Sequence, residues 1–543
     1  MSNALFSYEK PFNDVSRDYA PGSMDRKLLK EAIEEISSNV AEIPLIIGGE
    51  EIRTGNTGSV VMPHDHKHRL AVYHKAGRAE MEIAIKAALD AHNKWAGMSY
   101  TDRAAIIMKI AELIKTKYRY ILNAATMMGQ SKNVWQAEIE SASETIDYFH
   151  YGVHYMSEIY KNQPTSEDGA INCVEYRPLE GFVYAVSPFN FTALAANLPM
   201  APVLMGNTVV WKPATTSLLS SYYLMKIYAE AGLPAGVLNF MPGPGSVGSK
   251  VVLAHKDLAG VHFTGSTQVF NGLWKGIAEN LNTYKSYPRL VGETGGKNFV
   301  FMHNSADATE TATAMIRGAF EYQGQKCSAT SRCYIPVSRW GEVKNQLDEM
   351  MVSIKTGDPR DFRNFVNAVI DENSFDNCMK YISYAKKSSE AEIIHGGSGD
   401  KSIGYFIKPT IIKTVNPHFL TMEEEIFGPI LTLFVYDDDK FEETMDICNN
   451  TSPYALTGSF FAKDRAAIRK SHEILKYAAG NFYINDKTTG ACIGLQPFGG
   501  GRASGTNDKA GSQLNLLKWV SPKTIKEILM PPRWYSYPFM EDK

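Results

Sequence analysis

The run Gly181-Phe182-Val183-Tyr184-Ala185-Val186-Ser187-Pro188-Phe189-Asn190-Phe191 sets the architecture. Its first six residues make a short, nearly continuous apolar strand, and polar residues with a proline follow at once. Residues 193–204 then read as a helix and residues 208–211 as the next strand. The alternation continues outward with a helix over 217–231, a strand over 237–241, a helix over 248–254 and a strand at Val261-His262-Phe263. Continuous apolar strands alternating with helices imply a parallel sheet covered on both faces. In such sheets ligands bind at the carboxyl ends of the strands.

On the N-terminal side, residues 24–42, 78–96, 101–128 and 132–161 carry apolar residues at helical spacing. The acids Glu138, Glu140 and Glu144 are expected on a solvated helix face. Residues 169–178 alternate as a strand. From about 295 a second α/β region begins, with a strand over 298–301, helices over 307–322, 339–355, 371–388 and 463–478, and strand-rich stretches near 405–436. The tail 519–543 is rich in proline and aromatic residues, as suits an arm docked on another surface or on its own subunit.

At 543 residues the chain is too long for one core, so two or three domains are expected. A net charge of -3 gives no reason to expect a nucleic-acid partner. The six cysteines are scattered, with neither a disulfide framework nor a paired metal spacing, which fits a reducing compartment. The longest apolar candidate for a membrane span, residues 193–211, is broken by Pro199, Pro202 and Gly206. Residues 1–30 lack a signal-peptide core and are a poor transit peptide; Ser2-Asn3-Ala4 reads as a cloning scar.

Polar motifs sit at several strand ends. Asn190 can donate an amide hydrogen to an oxyanion, or simply shape a turn after Pro188. Lys212 ends the next strand and can meet ribose or phosphate, or be an ordinary surface lysine. Thr264-Gly265-Ser266-Thr267 precedes a helix whose N–H groups can face a phosphate. Glu293, among the glycines of Gly292-Glu293-Thr294-Gly295-Gly296, can serve as a general base or as a loop carboxylate satisfied by amides. The glycine spacing of Gly243-Pro244-Gly245-Ser246-Val247-Gly248 is a poor dinucleotide fingerprint because of Pro244. Cys327, in Gln323-Gly324-Gln325-Lys326-Cys327-Ser328-Ala329, has small and polar neighbours ill suited to a core, and a lysine beside it that favours the thiolate.

The ordered motifs Pro188-Phe189-Asn190, Trp211-Lys212-Pro213, Phe263-Thr264-Gly265-Ser266, Glu293-Thr294-Gly295-Gly296-Lys297, Gly324-Gln325-Lys326-Cys327, Glu424-Glu425-Ile426-Phe427-Gly428-Pro429 and Pro497-Phe498-Gly499-Gly500 resemble the aldehyde dehydrogenase superfamily. Four longer stretches, 187–193, 320–329, 479–487 and 496–509, resemble the branch of it that oxidises glutamate γ-semialdehyde. The resemblance implies a Rossmann-type cofactor domain (1–162 and 184–294), an α/β catalytic domain (295–508) and a β-rich oligomerisation arm (163–183 and 509–543). It implies Cys327 as nucleophile, Asn190 as oxyanion donor and Glu293 as base for water. It puts Ser187, Pro188, Phe189, Lys212, Gly265, Ser266, Glu425 and Phe427 around NAD. It puts Phe191, Ser328, Gly490, Ala491 and Phe498 around the substrate, with no metal. A pair between Lys326 and Glu144 at the site mouth is a further implication.

The implied reaction is oxidation of L-glutamate γ-semialdehyde to L-glutamate, the second step of proline catabolism, linked to a separate proline dehydrogenase. A homodimer or larger homo-oligomer follows, in a bacterial cytoplasm or, for a processed eukaryotic form, the mitochondrial matrix. Thr215 stands where many NAD-preferring relatives carry an acid, so NADP stays open. Phe270 replaces the superfamily's glycine and is expected to be tolerated. Succinate or aminoadipate semialdehyde are alternative substrates. A cysteine acyl-transfer enzyme is a rival that would need a histidine base, for which only His255 and His262 lie in the cofactor region. A non-catalytic protein on the same fold is a third reading.

Overall fold

The computed structural model describes residues 7–542, so Ser2-Asn3-Ala4 lies outside the described residues. Two seven-stranded sheets form its frame. In the first, Arg289–Glu293, Leu258–Thr264, Phe182–Val186, Thr208–Lys212 and Leu238–Phe240 lie side by side and parallel. Leu45–Ile47 and Glu50–Ile52 extend that sheet antiparallel. In the second, Thr410–Thr414, Ile430–Tyr436, Thr330–Pro336, Asn298–Met302, Thr457–Phe461 and Asn481–Ile484 are parallel, with Ala391–His395 antiparallel at one edge. The expected α/β class with a parallel, doubly covered sheet is what the chain adopts. Strand Leu258–Thr264 is buried at every position, as a sheet with helices on both faces requires.

Helix Thr192–Leu204 survives both Pro199 and Pro202. A proline has no N–H to give to the carbonyl four residues earlier. For Pro202 that carbonyl belongs to Leu198, and the Nδ1 of His262 meets it at 2.8 Å. His262, in mid-strand and with its ring 4.8 Å from that of Trp519, thereby satisfies a group the prolines orphan. It is neither a strand-end nor a surface residue.

Residues 101–128 do not form one helix: Tyr100–Leu113 and Arg119–Gln130 are separated by the π-turn Ile114–Tyr118. A second π-turn, Glu138–Ser143, precedes helix Glu144–Lys161. The solvated-face expectation for its acids fails. Glu138 is fully buried against Arg119, which also pairs with Asp14 at 2.8 Å. Glu140 is buried between Lys132 and Lys326, and Glu144 is half-buried. Helical spacing cannot separate a solvated acid from one whose cation arrives from another element.

Ala170–Pro178 and Val520–Ile528 pair antiparallel over nine residues as a separate ribbon. Beyond it Met530, Trp534, Tyr535 and Phe539 are exposed. Among the described residues no helix is long and apolar enough to cross a membrane.

Candidate active site

A cavity of about 760 Å³ opens at the carboxyl ends of the first sheet's strands and runs to Cys327. Ser187, Pro188, Phe189, Lys212, Gly265, Ser266, Glu425 and Phe427 all line it, together with Asn190. Residues separated by more than 200 positions thus meet on one wall. Ser266 caps helix Thr267–Glu279, its Oγ accepting from the Val269 N–H at 3.4 Å, so the helix N-terminus faces the cavity. Lys212 is held below its ordinary pKa by burial. Phe427 adopts a positive φ of 59° and meets Phe189 edge-on at 5.9 Å. Left-handed backbone in a bulky residue is strain that the surrounding packing must hold.

Glu425 reaches the cavity across Gly295 and Gly296. The Gly296 N–H donates to its Oε1 at 2.8 Å. A Cβ on Gly295 would stand 2.3 Å from its Oε2, so a side chain there would displace the Glu425 carboxyl. Burial lifts the Glu425 carboxyl to about 7.

Cys327 sits at the inner end and is 6% exposed, so a thiol expected outside a core is buried after all. It is buried facing a cavity, and its neighbours are polar. Burial and the charge of the nearby Glu293 carboxyl push the thiol pKa well above its ordinary value. Burial raises Glu293 to about 7, opposed by its interaction with Cys327. One Glu293 oxygen, Oε1, is buried without a partner. The nearby charges that act on the thiol are carboxyls rather than a histidine.

Lys326 does not do what its position beside Cys327 suggested. Its ammonium pairs with Glu140 at 2.8 Å and Glu321 at 3.3 Å. Its charge is committed to those acids, not to the thiol. The implied Lys326–Glu144 pair is replaced by these two. Burial and the Glu140 charge instead raise Glu144 to about 8.

The loop before Cys327 runs through three successive left-handed residues, Tyr322, Gln323 and Gly324, at φ 50°, 56° and 67°. Gln323 holds it: its Nε2 donates to the carbonyls of Ser131 (3.0 Å) and Ala368 (2.8 Å), and its Oε1 accepts from the Asn367 N–H at 2.9 Å. Asn190 donates to the Gln325 carbonyl at 3.1 Å, which leaves its second amide hydrogen for the cavity. Asn298 grips the loop from behind, donating to the carbonyls of Cys327 (2.7 Å) and Ala329 (2.9 Å).

Segment 487–491 docks on the residue after the nucleophile, the Thr488 hydroxyl donating to the Ser328 carbonyl at 2.7 Å. Gly490 is left-handed at φ 92°, and Ala491 follows it. Phe191 lies under the Lys132 ammonium at 4.5 Å. Phe498 pairs with Ala510 and lines, with Glu293, a small second cavity. Phe270 stacks on Phe263 at 5.5 Å and fills the space that a Cβ on Gly292 would need, so the departure at 270 is accommodated.

Gly245, Ser246, Val269 and Leu273 also line the large cavity and were not anticipated. The glycine spacing at 243–248 carried a signal for the first two. Val269 and Leu273 follow from helix geometry, being three and seven positions after Ser266.

The general model of the aldehyde dehydrogenase family matches residues 52–525. "Delta-1-pyrroline-5-carboxylate dehydrogenase, mitochondrial" of Dictyostelium discoideum is 52% identical over 535 residues, covering 98% of this chain and 96% of that protein. The Homo sapiens protein of the same name is 44% identical over 533 residues, covering 98% and 95%. The crystal structure of the Delta-pyrroline-5-carboxylate dehydrogenase from Mycobacterium tuberculosis bound with NAD superposes with a TM-score of 0.96 at 44% identity, covering 99% of this chain and all of that one. A cysteine poised against a glutamate at the floor of a strand-end cavity is thus met in a chain matched by the family model over most of its length: it belongs to the aldehyde dehydrogenase family.

Proposed function

We propose that the protein oxidises L-glutamate γ-semialdehyde, the open form of Δ1-pyrroline-5-carboxylate, to L-glutamate with NAD. The observation that carries this reading is segment 487–491 docked on Ser328, which sets a glycine-bearing loop beside the nucleophile. Full-length relatives named for that activity support it.

The large cavity fits a dinucleotide in size and lining: a buried lysine, a helix N-terminus and the Glu425 carboxyl offer polar contacts among apolar walls. Lys212 and Glu425 hold ribose hydroxyls, Gly265 and Ser266 face the phosphates, and Ser187, Pro188, Phe189 and Phe427 form the wall nearest Cys327. When bound, NAD supplies the hydride acceptor.

Cys327 Sγ bonds to the aldehyde carbon as its proton passes to Glu293. Asn190 and the Cys327 N–H hold the oxyanion of the hemithioacetal. Loss of hydride from that carbon leaves a thioester on Cys327. Glu293 gives the thiol's proton up to solvent, then takes one from water as the water oxygen attacks the thioester carbon; the C–S bond breaks and Glu293 returns that proton to the sulfur. Ser328 and the N–H groups of Gly490 and Ala491 hold the substrate's α-carboxylate, and Phe191 and Phe498 flank its methylene chain. Glycine lets the backbone approach an anion closely.

The two sheets serve as cofactor domain (1–162, 184–294) and catalytic domain (295–508). The ribbon and exposed aromatic tail support an arm (163–183, 509–543) that pairs copies of this chain. A separate proline dehydrogenase supplies the substrate. The compartment is the mitochondrial matrix of a eukaryote or the cytoplasm of a bacterium.

The test compares NAD reduction on glutamate semialdehyde and succinate semialdehyde. A preference for the first is expected; a preference for succinate semialdehyde would sink the assignment.

A further inference from the structure

Before helix Met24–Ser38, residues 7–20 form neither helix nor strand, yet they are fastened along their length to the helices behind the site. The Tyr8 carbonyl meets His154 Nδ1 at 2.8 Å. The Asp14 N–H donates to Asp147 Oδ1 at 2.7 Å, and the Tyr19 hydroxyl donates to Glu138 at 2.7 Å. Asn13 does something the others do not. Its Nδ2 donates to Asp147 Oδ2 at 2.8 Å and to the main-chain carbonyl of Ile493, also at 2.8 Å. Its Oδ1 accepts from the Tyr151 hydroxyl at 3.3 Å. One amide therefore ties helix Glu144–Lys161 to the loop that carries Gly490 and Ala491.

Within the loop the Leu495 and Gln496 N–H groups donate to the Cys492 carbonyl at 3.1 and 2.9 Å and the Cys492 N–H donates to Gln496 Oε1 at 2.9 Å, but none of these bonds reaches helix Glu144–Lys161. Gly490 and Gly494 are both left-handed, at φ 92° and 79°. A Cβ on Gly494 would stand 2.1 Å from the Tyr151 ring. Ile493 packs with Tyr148 and Tyr151, against which Phe191 also lies. The loop's height over Ser328 thus depends on how closely it is drawn onto helix Glu144–Lys161, and Asn13 is the polar clasp that draws it. Asn13 lies before residue 52, outside the span matched by the general family model. It suits a device for one class of aldehyde rather than for the shared chemistry.

We propose that Asn13 is a positioning residue that sets the loop 490–493 over the nucleophile, and through it the recognition of an aldehyde bearing a distal carboxylate. The inference rests on Gly490 and Ala491 being the carboxylate anchor.

The experiment measures steady-state kinetics of the full chain and of Asn13→Ala with glutamate semialdehyde and with propanal, which has no carboxylate. It adds competitive inhibition by L-glutamate. Loss of the clasp is expected to raise the KM for glutamate semialdehyde and the inhibition constant of L-glutamate by about tenfold. The KM for propanal and both kcat values stay within about twofold. Asn13→Leu keeps the size without adding a charge beside Asp147 but cannot donate to Ile493, and gives the same selective loss if the alanine variant folds poorly. Equal losses for both aldehydes, or none, overturn the inference. A wild-type enzyme with no preference for glutamate semialdehyde over propanal overturns the anchor reading itself, and the inference with it.

Discussion

The Glu293 carboxyl acts directly on the Cys327 thiol, and with burial its charge is the reason the proton stays on sulfur. The nucleophile is not a standing thiolate. It is a thiol whose base is already in place.

Replacing Glu293 by Gln removes that base and leaves the shape. Turnover is expected to fall by about 10²- to 10⁴-fold, the usual range for a lost general base. Rapid mixing then reads a slowed burst of NADH followed by a still slower steady rate, because attack by Cys327 and hydrolysis of the thioester both lose their base. A steady rate equal to that of the wild type would remove Glu293 from the mechanism.

Cys327→Ala should abolish aldehyde oxidation while NAD binding, followed by quenching of protein fluorescence, changes little. The cavity is built by other residues. Undiminished activity in this variant would remove the central claim.

Activity should depend on pH through a carboxyl raised by burial. A Glu with a raised pKa is protonated, and useless as a base, below that value. With Glu293 at about 7, kcat falls as pH drops through 7 and levels off above it. Glu425, also at about 7, adds a loss of dinucleotide affinity over the same range. The two separate when kcat is measured at saturating NAD. A flat kcat profile from pH 6 to 8 would contradict the placement of Glu293.

Lys326→Met tests the reassigned lysine. It leaves Glu321 with a buried, uncompensated charge and Glu140 with Lys132 alone, a loss of about 3–5 kcal/mol. Thermal melting should show a large drop in Tm. Alkylation of Cys327 in the surviving folded protein should keep its pH profile. A profile moved to higher pH would mean that Lys326 does assist the thiolate.

Thr215→Glu should worsen use of NADP relative to NAD by about tenfold or more, since a carboxylate there repels a 2′-phosphate. An unchanged ratio of kcat/KM values would place position 215 away from the adenosine ribose.

The strands of the first sheet and the motifs at their ends were legible because burial on both faces writes an unbroken apolar run, and because polar residues interrupt it only where a ligand is met. Lys212, Ser266 and Asn190 were found that way. Cys327 was legible as reactive, but its setting was not. Whether Lys326 faces the thiol or turns toward Glu140 depends on an acid 186 positions earlier, which no local window contains. Glu138 likewise meets its cation, Arg119, from the start of another helix 19 positions earlier. The segment 41–74 passed unread, its short strands exposing much of their length and carrying little periodicity.

The grip of Gln323 on both sides of the molecule has a bearing on how the protein matures. Its partners are the Ser131 carbonyl, just after helix Arg119–Gln130, and the main chain at 367–368, beyond helix Val337–Ser353. Three left-handed residues in a row cost on the order of 1–3 kcal/mol each for the non-glycine members, against which the loop itself sets the bond from the Gln325 N–H to the Tyr322 carbonyl at 3.0 Å. A nascent chain in which those two regions have not met cannot hold the loop, so catalytic competence arrives last, as a certificate that assembly is complete.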